Sequence, residues 1–344
     1  MQNNVRIGKL FMQGLVALTL IASVVGQVFG VAAAPAKPSY EYYVAGNSGD
    51  VTTSTSAGLL LMGGGTDVDA GFQWMISKSG GGDFVVIRAT GTDAYNPWIY
   101  GELGMTVDSA ETIIIKNRAA ASDPFVVDKI RNAEALFIAG GDQSNYVDLW
   151  KGTPVEDAIH YLVTRNVPIG GTSAGLAVMG EFLFSAANGT ITSDTALANP
   201  YSNKVALDRD FLVLPNMSGI ITDSHFVTRD RMGRLLTFLA RIVQDGWAST
   251  PKGLGIDEKT ALGVEPGGRA TVFGSGAAYF LQTPGAPQVC QPHTNLTYHN
   301  ISVYRVSGSA TFNFARWTGT GGTAYTLNVD DGVVTSTQAN GAIY

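Results

Sequence analysis

Val167-Pro-Ile-Gly-Gly-Thr-Ser-Ala-Gly-Leu-Ala-Val-Met-Gly180 is a short aliphatic run that breaks at glycines and resumes at once as an apolar helical pattern. A strand, a sharp turn and a helix are therefore expected in immediate succession, the setting that the elbow Gly171-Thr-Ser-Ala-Gly175 requires. Glycines on both sides let the turn close without Cβ clashes, and a helix N-terminus just behind Ser173 favours negative charge developing there. Ser173 thus stands where a nucleophile would. A glycine-rich turn that only binds an anion or packs a helix would carry the same residues, and no second G-x-S-x-G occurs in the chain.

Outward from the elbow, brief aliphatic bursts alternate with longer amphipathic segments. Residues 59–62, 84–88, 112–116, 135–139 and 167–170 read as buried strands. Residues 69–77, 124–132 and 155–166 read as helices, the last with Val155, Ile159, Leu162 and Val163 on one face. The alternation predicts an α/β fold, a doubly wound, mostly parallel sheet with its site beyond the carboxyl ends of the strands. From Arg269 onward Val, Thr, Tyr and Phe alternate with Gly and Ser, so antiparallel strands are expected on or beside that sheet, or as a small accessory domain. The resulting division is a Ser/Thr/Gly-rich linker over residues 37–57, an α/β unit over 58–285 and a β-rich extension over 286–344.

Composition narrows the function. The 344 residues are 45 % hydrophobic and 15 % charged, which is globular rather than disordered. Lys plus Arg number 22 against 28 Asp plus Glu, a net charge of −6 with no long basic run, so nucleic acid is not an expected partner. Glycine numbers 42, where average usage predicts roughly 24, and this favours a loop-rich enzyme. The single cysteine, Cys290, excludes an internal disulfide and a Cys-rich zinc site.

Residues 1–36 place Arg6 and Lys9 before an apolar stretch that ends in Ala32, Ala33, Ala34 and Ala36, the order of a secretory signal. Export is expected, with a retained membrane anchor as the competing reading. Asn188, Asn216, Asn295 and Asn300 each begin an Asn-x-Ser/Thr triplet that a glycosylating host could modify.

A serine needs a base, and there are four histidines. His160 falls inside an amphipathic helix, and His293 and His299 flank the Asn295 triplet in the β-rich tail. His225, in Gly219-Ile-Ile-Thr-Asp-Ser-His-Phe226, comes after a short apolar run at a strand end, where the site is expected. The carboxylates between Ser173 and His225 are Glu181, Asp194, Asp208, Asp210 and Asp223; Asp194, in a loop, is the choice for orienting the imidazole. Amides of Gly141, in the loop after the 135–139 strand, and of Ala174 are assigned to an oxyanion hole. Gly63-Gly64-Gly65 is read as a turn lining the crevice. Arg229, Arg231 and Arg234 crowd the start of a helix expected over residues 227–243, where the macrodipole disfavours cations. They are offset either by Asp223, Asp230 or Asp257, or by a substrate carboxylate, which guanidinium grips with two parallel hydrogen bonds.

Taken together, Phe137-Ile-Ala-Gly-Gly-Asp-Gln143, Gly171-Thr-Ser-Ala-Gly175, Asp223-Ser-His-Phe-Val-Thr-Arg-Asp-Arg-Met-Gly-Arg-Leu-Leu236 and Gly255-Ile-Asp-Glu258 resemble the cyanophycinase and aspartyl dipeptidase family of serine peptidases, over roughly residues 58–285. The resemblance implies a fold akin to class I glutamine amidotransferases, Ser173 as nucleophile with His225 as base, and cleavage next to aspartate, in cyanophycinases at the β-linked Asp-Arg isopeptide. It implies substrate contacts from Gln143, Asp223, Arg229, Arg231 and Arg234, no cofactor, and a homodimer. Two positions depart from the pattern: Ser224 stands where cyanophycinases carry Gln, and Asp194 is only the best positional match to their acidic residue. The expectation is a secreted serine peptidase acting on peptide or isopeptide bonds; an α/β-hydrolase esterase and a non-catalytic binding protein that has kept the pocket are the alternatives.

Overall fold

Leu59, Leu60, Leu61 and Met62 point alternately to two faces of one strand, and both faces are buried. Leu59 and Leu61 pack with Val126, Ile130, Ile159 and Leu162 of the Pro124–Asn132 and Pro154–Thr164 helices. Leu60 and Met62 pack with Phe72, Met75 and Ile76 of the Asp69–Ser79 helix. That double burial is why the strand reads as an unbroken aliphatic run. The computed structural model describes residues 37–344; the proposed signal segment lies outside the described residues.

Two sheets form, where the sequence suggests one principal sheet. In the ten-stranded sheet, the neighbours Ser109–Ile115, Asp83–Arg88, Ala135–Ile138, Ile169–Thr172 and Leu59–Met62 are parallel. Tyr40–Gly46 adds an antiparallel edge, so part of the stretch read as a linker is a strand. On the other side come Thr260–Val264, Arg269–Gly274, Thr311–Asn313 and Thr318–Thr320, all antiparallel. The eight-stranded sheet has its own parallel centre, Lys252–Ile256, Ile220–Asp223 and Phe182–Phe184. It is completed by Leu207–Arg209 at one end and by Ala277–Gln282, Tyr298–Ser307, Thr323–Asp330 and Val333–Ser336 at the other. The fold is mixed α/β with parallel centres and antiparallel wings, and the β-rich tail adds strands to both sheets.

Leu254, Ile256, Ala278 and Phe280 of the smaller sheet share a core with Leu262 and Val264 of the larger. On the smaller sheet's opposite face, Ile221, Tyr279 and Leu281 pack on Leu235, Leu236, Phe238 and Leu239 of the Met232–Gln244 helix. The lone thiol, Cys290, is buried in this second core, and burial pushes its pKa up to about 12. The Ile169–Thr172 strand ends at Ser173, and the Ile220–Asp223 strand ends two residues before His225, so the two residues come from different sheets.

Candidate active site

Ser173 occupies φ 53°, ψ −112°, a conformation a residue with a Cβ adopts only under constraint. The constraint is visible on both sides of it. Its N–H donates to Met62 O at 3.2 Å, its carbonyl accepts from Ala177 N at 3.0 Å, and a Cβ on Gly175 would stand 2.0 Å from Ile138 O. The helix behind it, Ala174–Ala177, is a single turn, so the Ala174 amide itself rather than a long macrodipole faces the site.

Ser173 Oγ lies 2.8 Å from His225 Nε2, and His225 Nδ1 lies 2.5 Å from Glu258 Oε1. Glu258, not Asp194, is therefore the carboxylate on the imidazole. Asp194 is exposed in the first turn of the Ser193–Ala198 helix and lines a separate small cavity beside Asp230 and Gly332. Among the other carboxylates considered, Glu181 accepts from Gly219 N and Ser218 Oγ, and Asp208 pairs with Lys151. The remaining histidines are also placed: His160 Nε2 accepts from Val213 N, His299 pairs with Asp330, and His293 is exposed.

The segment Gly255–Glu258 braces His225 and the two residues after it. The Lys252–Ile256 strand runs parallel beside Ile220–Asp223 with Gly255 opposite Asp223, so the residues just past one strand lie next to those just past the other. A Cβ on Gly255 would stand 2.5 Å from the Phe226 ring, Asp257 Oδ1 accepts from Val227 N at 2.8 Å, and Glu258 takes the imidazole. The glycine cluster forms the floor. His225 N donates to Gly63 O at 2.7 Å, and a Cβ on Gly64 would stand 2.6 Å from the ring. His225 is itself at φ 47°.

Burial holds His225 below its ordinary pKa, and Arg229 and Arg231 add to this, against the opposing hydrogen bond to Glu258. That same bond holds Glu258 below the usual carboxylate range. The imidazole is thus neutral at neutral pH, with Nε2 free to accept a proton from Ser173.

A cavity of about 500 Å³ opens in front of Ser173, lined among others by Gly141, Gln143, Ala174, Ser224, Arg229 and Arg231. Neither the Gly141 N–H nor the Ala174 N–H donates to a protein acceptor among the described residues. A Cβ on the adjacent Gly140 would stand 3.4 Å from Ser173 Cβ, which brings that loop against the elbow. Gln143 Nε2 donates to Phe184 O at 3.3 Å.

The cationic residues divide. Arg234 grips Asp223 with two bonds, Nε to Oδ2 at 2.7 Å and Nη2 to Oδ1 at 2.5 Å, and both side chains are buried. Arg231 Nη1 donates to Ser224 O at 2.8 Å and reaches Asp223 Oδ1 at 3.3 Å; burial lowers its pKa to about 10, which leaves it charged. Arg229 is exposed and its guanidinium has no partner among the described residues. The helix starts at Met232 rather than at residue 227, so Arg229 and Arg231 precede it and only Arg234 lies in its first turn. Among the described residues no group of three or more His, Cys, Asp or Glu side chains is placed to hold a metal ion.

Comparison with known proteins finds relatives of this chain. The model of Peptidase family S51 matches residues 98–271. A cyanophycinase of Nostoc sp. (strain PCC 7120 / SAG 25.82 / UTEX 2576) is 28 % identical over 214 residues, covering 61 % of this chain and 66 % of that protein. A cyanophycinase of Synechococcus elongatus is 26 % identical over 221 residues, covering 62 % and 63 %. The chain thus spans just under two thirds of the length of these relatives. A crystal structure of a peptidase from an acI-B1 Actinobacterium superposes with a TM-score of 0.49 at 17 % identity, over 66 % of this chain and 91 % of that one.

Proposed function

Starting from the fact that the chain belongs to Peptidase family S51, we propose that it is a serine peptidase that hydrolyses peptide or β-aspartyl isopeptide bonds next to aspartate. The observation that carries this reading is the unbroken line from Ser173 Oγ through His225 to Glu258. Ser173 Oγ attacks the scissile carbonyl carbon while His225 Nε2 takes its proton. Glu258 accepts the hydrogen bond from Nδ1–H and stabilises the imidazolium. The Gly141 and Ala174 amides receive the negative charge on the carbonyl oxygen, each donor worth roughly a hundredfold to a thousandfold in rate. His225 returns the proton to the leaving amine, which frees an acyl-serine, and water then attacks this ester with His225 as base again.

Arg229 is the cation available to a substrate carboxylate, with Arg231 beside it in the cavity. Arg234 also lines the cavity, but its charge is satisfied by Asp223 behind it, so it serves as wall and not as the grip on a substrate carboxylate. The reading extends to cyanophycin-like β-Asp-Arg linkages, supported by the two cyanophycinase relatives, and to the amidotransferase-like fold, supported by a nucleophile at the end of a parallel strand. It also extends to export, with residues 1–36 as the signal, and to a homodimer. Among the described residues no helix is long and apolar enough to cross a membrane. Asn188 and Asn300 are the exposed triplet sites, although the Asn188 carboxamide donates to Asn203 O, and Asn216 and Asn295 are half-buried with carboxamides that also donate to backbone carbonyls.

The test is a substrate panel of β-aspartyl-arginine dipeptide, cyanophycin and a neutral nitrophenyl ester. Cleavage of an aspartyl substrate is expected, with Ser173→Ala lowering kcat by roughly four to six orders of magnitude. Turnover of the ester alone, or an unaffected rate in Ser173→Ala, contradicts the reading.

A further inference from the structure

The turn after His225 is held by residues far away in sequence. Asp230 sits at φ 47°, like His225, and the Met232–Gln244 helix begins behind Arg231, whose side chain has no acceptor to offer the first amides. Two hydroxyls supply what is missing. Met232 N donates to the Tyr344 hydroxyl at 2.9 Å, and Arg234 N donates to Ser193 Oγ at 3.1 Å. The same hydroxyls hold Asp230: Tyr344 donates to its carboxylate at 2.8 Å, and Ser193 donates to its carbonyl. The Tyr344 ring also meets Phe226 edge-on with centroids 5.8 Å apart. The preceding residue, Ile343, is tied to the Thr323–Asp330 strand through its carbonyl, which accepts from the Tyr325 hydroxyl at 2.9 Å.

Residues 225–232 are thus clamped between Gly255–Glu258 on one side and Tyr344 with Ser193 on the other. What depends on each jaw differs. His225 is fixed without Tyr344, by Gly63 O, Ser173 and Glu258. Arg229 has no such side-chain tie; only its backbone N–H, donating to His225 O at 3.0 Å, anchors it within the turn.

We propose that Tyr344 and Ser193 are positioning residues, which cap the Met232–Gln244 helix from a distance and so fix the turn that presents Arg229 and Arg231 to the cavity. They set the affinity for a carboxylate-bearing substrate and leave the proton transfers at Ser173 alone. Neither residue lines that cavity. The kinetic half of this inference rests on the peptidase reading above; the structural half does not.

Tyr344→Phe keeps the ring and removes the hydroxyl, and Ser193→Ala tests the second cap should the first variant fail to fold. Hydrogen exchange of peptides covering residues 226–234 is expected to quicken about five- to tenfold in either variant, with other segments unchanged. KM for β-aspartyl-arginine dipeptide is expected to rise by a similar factor, while kcat and the rate of labelling by a neutral fluorophosphonate stay within about twofold. Exchange equal to the wild type, or a fall in kcat at unchanged KM, overturns the inference. Should the wild type cleave no aspartyl substrate, the peptidase reading fails, and the exchange comparison still decides whether the clamp exists.

Discussion

Two carboxylates flank His225 and are put to opposite uses. Asp223 is buried, and it spends its charge on Arg234 in a bidentate pair that is itself buried. Glu258 keeps a quarter of its side chain exposed and directs one oxygen at the imidazole. The first arrangement is a fixed piece of wall, because neither charge can leave the other without being stranded in low dielectric. The second is a working contact, because water can relax around the carboxylate as the imidazole gains and loses a proton. The contrast also sorts the arginines. A guanidinium near the site informs on substrate binding only after its protein partners are subtracted, and that subtraction leaves Arg229.

Removing the Asp223 charge tests the wall directly. Asp223→Asn strands Arg234 and is expected to cost about 3–5 kcal/mol in urea unfolding. Glu258→Gln, by contrast, should move the unfolding free energy by less than about 1 kcal/mol, since the carboxylate is partly solvated and the Gln side-chain oxygen can still accept from the imidazole. Equal losses in the two variants would erase the distinction. A smaller effect, on binding, is expected of Arg229→Ala: KM for an aspartyl substrate rises about tenfold with the unfolding midpoint unchanged.

The same substitution carries a pH signature. His225 acts as a base only when neutral, so activity falls as pH drops through its pKa, which burial and the arginines hold below the ordinary 6.5. Taking away the Arg229 cation relieves one of the effects that depress it. The acid limb of kcat/KM should therefore move to higher pH in Arg229→Ala, by a fraction of a unit at this exposed site. An acid limb that stays in place or moves to lower pH would show that Arg229 does not act on His225.

Much of this is legible in the sequence. The five strands and three helices read over residues 59–172 all overlap observed elements, because local pattern and burial agree there. Ser109–Ile115 and Ile169–Thr172 are nonetheless displaced from their expected bounds, and the Gln143–Trp150 helix is not among those expected. Ser173 and the choice of His225 among four histidines also come from position at strand ends. Glu258 escapes a reading confined to the carboxylates between Ser173 and His225. Its signal is present in Gly255-Ile-Asp-Glu258, which matches the family pattern and comes after another short apolar run. Using it requires knowing that Lys252–Ile256 lies parallel beside Ile220–Asp223, and strand adjacency is a long-range fact that periodicity does not encode. The division into two sheets is hidden for the same reason. The Met232–Gln244 helix starts five residues later than its pattern suggests because its caps, Ser193 and Tyr344, are remote in sequence, and Arg231 rather than a Ser, Thr or Asp stands at its N-cap position.

The most direct test of the account compares kcat/KM for β-aspartyl-arginine dipeptide in Glu258→Gln and Asp194→Asn, measured side by side with the wild type. Glu258→Gln is expected to lose about a thousandfold or more, and Asp194→Asn to stay within about twofold of the wild type. The reverse pattern, with the loss in Asp194→Asn and near-normal turnover in Glu258→Gln, would contradict the assignment of Glu258.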